Sequence, residues 1–273
     1  MNKLEIRTET RRLLAETTAN SSYFSDTDIN KFIDDGIKDM CIKAGVYQKT
    51  LSITVATATA AYKMPWDFLD VVSLRNADGV PLDGISPDAA GRVYVVTGYP
   101  LNFYITQAAA SLATRANTTA YVTFPATCVT TLTYLLPATA NGYFYECTTA
   151  GTSHSAPPTY GTTLAGTTSD GTVTWTCREL VTTLNTLNLV DTPTTAGGGT
   201  GTYSLIYKAL DEQLAADTDS PNFPLQYHHN LVLYAAFSCF AKAKDVTLAT
   251  AILTKYLTNL GLPVSTGGAE SAS

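Results

Sequence analysis

The chain has 273 residues, 45% of them hydrophobic and only 15% charged. That is apolar material for one large domain, or for a core plus a smaller unit, with charge well below the usual quarter. A net charge of −6, a pI near 5.0 and no Lys/Arg cluster beyond Arg11–Arg12 argue against nucleic-acid binding by phosphate neutralisation.

In chain order, residues 3–18 read as a helix: Ile6, Thr10, Leu13, Leu14 and Thr17 fall on one stripe. A loop, NSSYFSDTD, ends in Ser25 and Asp28, a capping-box spacing with an acid in place of Glu or Gln. The helix predicted over 26–44 carries Ile29, Phe32, Ile33, Ile37, Met40, Cys41 and Ala44 on one face and stops at Gly45. The period then changes from 3.6 to 2. Leu51, Ile53 and Val55 alternate as in a half-buried strand. FLDVVSL (68–74), RVYVVT (92–97), LNFYIT (101–106), LNTLNLV (184–190) and YSLIY (203–207) are further strand-like strings, and NADG (76–79) reads as a tight turn.

Between LNFYIT and LNTLNLV lies a block of Thr, Gly, Ser, Ala and Tyr with few charges. The two flanking strings suit one hairpin whose turn the block has replaced. After residue 208 the chain returns to helix. Pro224 suits a first-turn position, and the helix predicted over 224–243 is apolar almost all round after His229, the pattern of an element buried on several sides. A last helix, 246–260, is capped by Asp245 and stopped by Gly261 and Pro263.

The fold class is therefore α+β: two N-terminal and two C-terminal helices, an antiparallel β portion (50–106 and 184–208) and an inserted all-β module (107–183). Residues 1–106 with 184–261 form the core, and 262–273 form a small-residue tail.

No bilayer-length apolar run exists. MNKLEIRTETRRLL lacks the apolar centre of a signal peptide, so synthesis in a cytosol is expected. None of the five cysteines forms a CxxC pair. Cys41 and Cys239 fall in apolar helical patterns and read as buried thiols. Cys147 and Cys177 sit in two strand-like strings of the block, either free or as a candidate disulfide formed after exposure to oxidant. His228 and His229 are adjacent, so a helix sends them about 100° apart; one packed and one exposed is the simpler reading than a metal pair. GxSxG, HExxH, GxxxxGK[ST] and GxGxxG motifs are absent, and GGGTG (197–201) reads as a flexible turn. No enzyme, cofactor or metal is expected. Tyr143, Tyr160 and Trp175 stay open between two roles: core of a small sheet, or a platform for stacking on sugar rings.

The ends carry a resemblance. RTETRRLLAETTANSSYFSDTDINKFIDDGIKDMCIKAG, KMPWDFLDVVSLRNADGVPL and YSLIYKALDEQLAADTDSPNFPLQYHHNLVLYAAFSCFAKAKD, in that order, resemble the head–tail adaptor (connector) proteins of short-tailed phages. NGYFYECTTAGTS and DGTVTWTCRE resemble small carbohydrate-binding-type and Ig-like modules of phage structural proteins; PPTYG (157–161) has Tyr160 where those relatives often have Trp. The adaptor resemblance implies a structural virion protein at the head–tail interface: a ring, dodecameric in relatives, between the portal protein and a tail (nozzle or tube) protein, passing DNA through an acidic lumen without specific binding and needing no membrane. It also implies that the tail, beginning Leu262, Pro263, Val264, Ser265 and Thr266, docks on the portal. The all-round apolar helix fits subunit packing through Leu231, Tyr234, Phe237 and Phe240. The alternative is a tail or decoration subunit that binds glycans through the module.

Overall fold

The computed structural model describes residues 1–16, 23–93, 97–110, 112–124 and 134–263. The protein is α+β and divides into two compact units, Met1–Tyr47 with Leu210–Ser273, and Gln48–Ala209.

The first unit holds four helices among the described residues: α1 (Lys3–Leu13), α2 (Asp26–Ala44), α3 (His228–Lys242) and α4 (Val246–Asn259). Each starts or stops for a local reason. Asn2 and Glu5 form a capping box on α1, and Ser25 and Asp28 form one on α2, so two otherwise free N–H groups at the start of each helix are satisfied. Gly45, at φ 58°, closes α2.

The first helix is shorter than its periodicity predicts. It ends at Leu13 because Ala15 takes a left-handed φ of 57° and the N–H groups of Ala15 and Glu16 return to the carbonyls of Arg12 and Arg11. That is a Schellman closure made without glycine. Thr17 and Thr18 lie outside the described residues. The third helix starts later than predicted, after a 3-10 turn over Leu225–Tyr227. Asp245 caps α4 through the Leu248 N–H, and Gly261 and Leu262 close it onto Thr258 and Leu257.

α3 touches α1, α2 and α4, so it is the hub of this unit. Leu231, Val232, Leu233, Ala235, Ala236 and Cys239 are buried on it, against Ile29, Ile33, Ile37 and Met40 of α2 and Ile6 of α1. Full burial of each large side chain is worth about 1.5–3 kcal/mol. Gly36 of α2 permits close approach: a Cβ there would stand 2.9 Å from the Tyr234 ring and 3.3 Å from Leu231.

The second unit is β. Its strands in chain order are β1 (Gln48–Val55), β2 (Ala61–Lys63), β3 (Phe68–Arg75), β4 (Asp83–Gly84), β5 (Asn102–Ala109), β6 (Ala113–Thr114), β7 (Ala120–Tyr121), β8 (Tyr134–Leu136), β9 (Tyr143–Thr149), β10 (Gly151–Thr152), β11 (Thr167–Asp170), β12 (Val173–Glu179), β13 (Thr183–Leu189) and β14 (Gly201–Ala209). They form sheets ordered β1-β14-β3, β2-β13-β5-β4, β11-β12-β9-β8-β6 and β10-β7. Leu51, Ile53 and Val55 of β1 face Leu205, Tyr203 and Gly201 of β14; apart from Gly201 these are buried, so alternation in sequence becomes one apolar face.

The strands flanking the uncharged block pair with each other: β5 and β13 run antiparallel from Phe103↔Leu189 to Ala109↔Thr183. The predicted strand 92–97 is not seen at Arg92, Val93 or Thr97, which lie in turns and a bend, and 94–96 lie outside the described residues. GGGTG is not a loose turn. A Cβ on Gly199 would stand 2.0 Å from the Gly98 carbonyl oxygen and one on Gly197 2.8 Å from it. Those glycines are required by two backbones in contact.

Candidate functional site

Within the block, the five-stranded sheet has two working faces. One is a small core of Tyr121, Leu135, Tyr145, Cys147, Val173, Trp175 and Cys177, with Tyr143 and Tyr160 packed at its margin. Trp175 is 0% exposed and meets Tyr121 edge-on at 4.8 Å; no ring face is left for a sugar. Tyr160 leans on Tyr145 at 4.4 Å, and Tyr143 is half-buried in the same cluster. Of the two roles open to these aromatics in the sequence, core and stacking platform, the packing shown is that of the core.

The motif DGTVTWTC shows how the core is pinned. Asp170 and Val173 pair across a two-residue turn in which Gly171 has φ +67° and Thr172 is not left-handed, the pattern of a type II′ hairpin. The Asp170 carboxylate accepts from Trp175 Nε1 at 3.1 Å, the His154 N–H at 2.9 Å and Arg115 Nε and Nη2, both at 2.7 Å. The Arg115 and Asp170 side chains are 3% and 0% exposed. Burial by itself would raise the Asp170 pKa, but Arg115, His154 N–H and Trp175 together hold it below the usual carboxylate range. Arg115 also donates to the carbonyls of His154 and Ala156, fastening that loop.

Cys147 and Cys177 are free thiols, which corrects the disulfide candidate. Cys147 stands opposite Trp175 and Cys177 opposite Tyr145, so the two cysteines are diagonal neighbours. A diagonal places Cα atoms about 7–8 Å apart, beyond the roughly 4.4–6.8 Å a disulfide spans. Burial pushes the Cys147 thiol up to about 11 and raises Cys177 as well, so neither is a thiolate near neutrality.

The opposite face of the sheet meets the rest of its unit. Trp66, in the loop between β2 and β3, donates from Nε1 to Glu146 at 3.1 Å. Its ring lies 6.2 Å from Phe144, and the Arg178 guanidinium sits 5.1 Å above it. Arg178 binds Glu146 at 2.8 Å, and the Trp66 N–H donates to the Tyr134 hydroxyl at 3.3 Å. Next to Trp66, buried Asp67 accepts from Lys49 at 2.6 Å and Tyr207 at 3.2 Å. This junction was missed in the sequence; its one signal is a tryptophan between the Pro and Asp of KMPWDF.

In the helical unit, Leu231 is 0% exposed within the chain itself and belongs to the monomer's core rather than to a subunit contact. Tyr234, Phe237 and Phe240 are half-buried; Tyr234 meets Phe237 at 5.9 Å and Tyr256 at 5.4 Å. The Tyr256 hydroxyl donates to Asp39 at 2.7 Å. His228 is buried, one ring nitrogen 3.0 Å from the Phe223 carbonyl, and His229 is exposed. Of the residues expected to dock on the portal, Leu262 donates its N–H to close α4 and Pro263 is exposed; Val264, Ser265 and Thr266 lie outside the described residues. Among the described residues, no three His, Cys, Asp or Glu side chains converge to hold a metal, and no helix is long and apolar enough to cross a membrane.

Capped N-terminal helices and a β unit with an aromatic-cored five-stranded sheet describe a chain built from packing surfaces. The sequence profile of the SU10 adaptor protein family matches residues 1–151, more than half of the chain. The chain belongs to that family, in keeping with the head–tail adaptor resemblance of its N-terminal half. A search of curated proteins returned no match.

Proposed function

We propose that this protein is the head-to-tail adaptor of a tailed phage, a non-enzymatic virion component that forms a ring between the portal and the tail and extends the DNA channel. The family match over 1–151 carries this reading. The helical unit would face the portal with residues 262–273 as a docking segment, and the next tail component would bind the remaining surface. A net charge of −6 suits a lumen that DNA must slide through without adhering. The ring would be a homo-oligomer, a dodecamer as in the resembled adaptors. Tyr234, Phe237 and Phe240 keep enough exposure to take part in its contacts.

The test is electron microscopy of the purified chain mixed with its portal. A ring seated on the portal exit is the expected image; portals left bare at saturating protein would overturn the reading. In the same assay, a chain lacking 262–273 is expected to dock more weakly.

A further inference from the structure

The three-stranded sheet has two outer edges, and the protein treats them differently. β3 is guarded. Its ladder with β14 is broken by two register shifts, the Val71 N–H is taken by the Asp70 carboxylate at 2.9 Å, and residues 80–82 fold back onto its end through Asn76 and Leu74. These are the devices that blunt an edge.

β1 has none of them. It pairs with β14 over eight residues without a shift. Its stretch Thr50–Val55, TLSITV, has no charge, no proline and no glycine. Alternate residues of an antiparallel strand direct N–H and C=O away from the partner. Among the described residues, nothing hydrogen-bonds to Thr50–Val55 on that outer side. Leu51, Ile53 and Val55 are buried on one face while Thr50, Ser52 and Thr54 are exposed on the other.

We infer that the β1 edge is a docking site for an extended segment of a partner protein, which adds as a further strand. The chemistry on the page specifies that segment. It must offer a regular row of main-chain donors and acceptors. Its alternate side chains must be apolar, to prolong the row of Leu51, Ile53 and Val55. The intervening ones must be small and uncharged, because Thr50, Ser52 and Thr54 provide no countercharge. This inference rests on the adaptor reading, in which a neighbouring virion protein supplies the strand.

Amide hydrogen exchange, resolved along residues 48–55 in the isolated full chain and in purified phage particles, tests it. Alternate amides within Thr50–Val55 should exchange freely in the isolated chain and about a hundredfold more slowly in particles. Equal rates in the two states overturn the docking site while leaving the adaptor reading intact. Absence of the chain from particles overturns both. Protection already present in concentrated isolated chain, and lost on dilution, assigns the edge to a second copy and overturns the partner segment. A doubly substituted chain, Thr50→Lys with Thr54→Lys, should melt as the parent does yet lower the yield of infectious particles about tenfold, since charge guards an edge. Val72→Lys on β3 should leave the yield unchanged; equal loss from both edges overturns the assignment.

Discussion

Asp34, on α2, is a carboxylate placed against its own charge. One of its oxygens is buried without a hydrogen-bond partner, and burial pushes its pKa up to about 6, against the opposing pull of Lys3. Its folded value lies above its unfolded one, so the native state binds the proton more tightly. The contribution of Asp34 to stability is therefore most favourable at low pH and is lost as pH rises from about 4 through about 6. Asp34→Asn removes the titration. It is expected to melt higher than the parent at pH 7.5, with the gap closing near pH 4.5; a gap constant across that range in paired thermal melts would falsify the assignment. Trp175 is the other decisive residue. Its truncation to Ala empties the centre of the block's core and strips a hydrogen bond from Asp170, a loss of about 3–5 kcal/mol. Limited proteolysis should then cut within 110–182 at concentrations that spare the parent; a folded variant with altered glycan binding would restore the platform role.

At the scale of elements, the sequence was legible wherever the cause was local. Ser25 with Asp28, Gly45, Asp245 and Gly261 announce their caps because capping is a contact between near neighbours. The alternation of Leu51, Ile53 and Val55 announces β1 for the same reason. The misread places had distant causes, with one local exception. Ala15 ends α1 in a conformation that its side chain does not advertise. The glycines at 197 and 199 answer to the backbone at Gly98, about a hundred residues away in sequence, and Trp66 to Glu146 and Arg178. Helix packing yields a test at this scale. Gly36→Val pushes a branched side chain into the Tyr234 ring, where Cβ alone already meets an atom at 2.9 Å. A destabilisation of about 1–3 kcal/mol is expected, larger than for Gly36→Ala, as measured by urea unfolding. Equal stability of the two variants would show that α2 and α3 separate freely.

At the scale of the molecule, the block is joined to the chain by strands already paired to each other. Replacing 110–182 with a two-residue Asn-Gly turn keeps Ala109 opposite Thr183, and Trp66→Ser in the same chain removes the ring that would be left uncovered. The helical unit is expected to keep its circular dichroism and cooperative melt; loss of both would show that the block is needed for folding. The central strand of the three-stranded sheet has a different consequence, in time rather than in space. β14 is the partner of both β1 and β3, and among the described residues it is the last strand to be made. At about 5–20 residues per second, β1 waits roughly 8 to 30 s for its partner, and α2 waits longer for α3. During that interval Leu51, Ile53 and Val55 stay wet and unpaired on the ribosome. Chains stalled before Gly201 should be cut by protease at 48–55 and 68–75, and chains stalled well past Ala209 should resist there, so the three-stranded sheet closes only when its central strand has emerged, after β2 has already found β13.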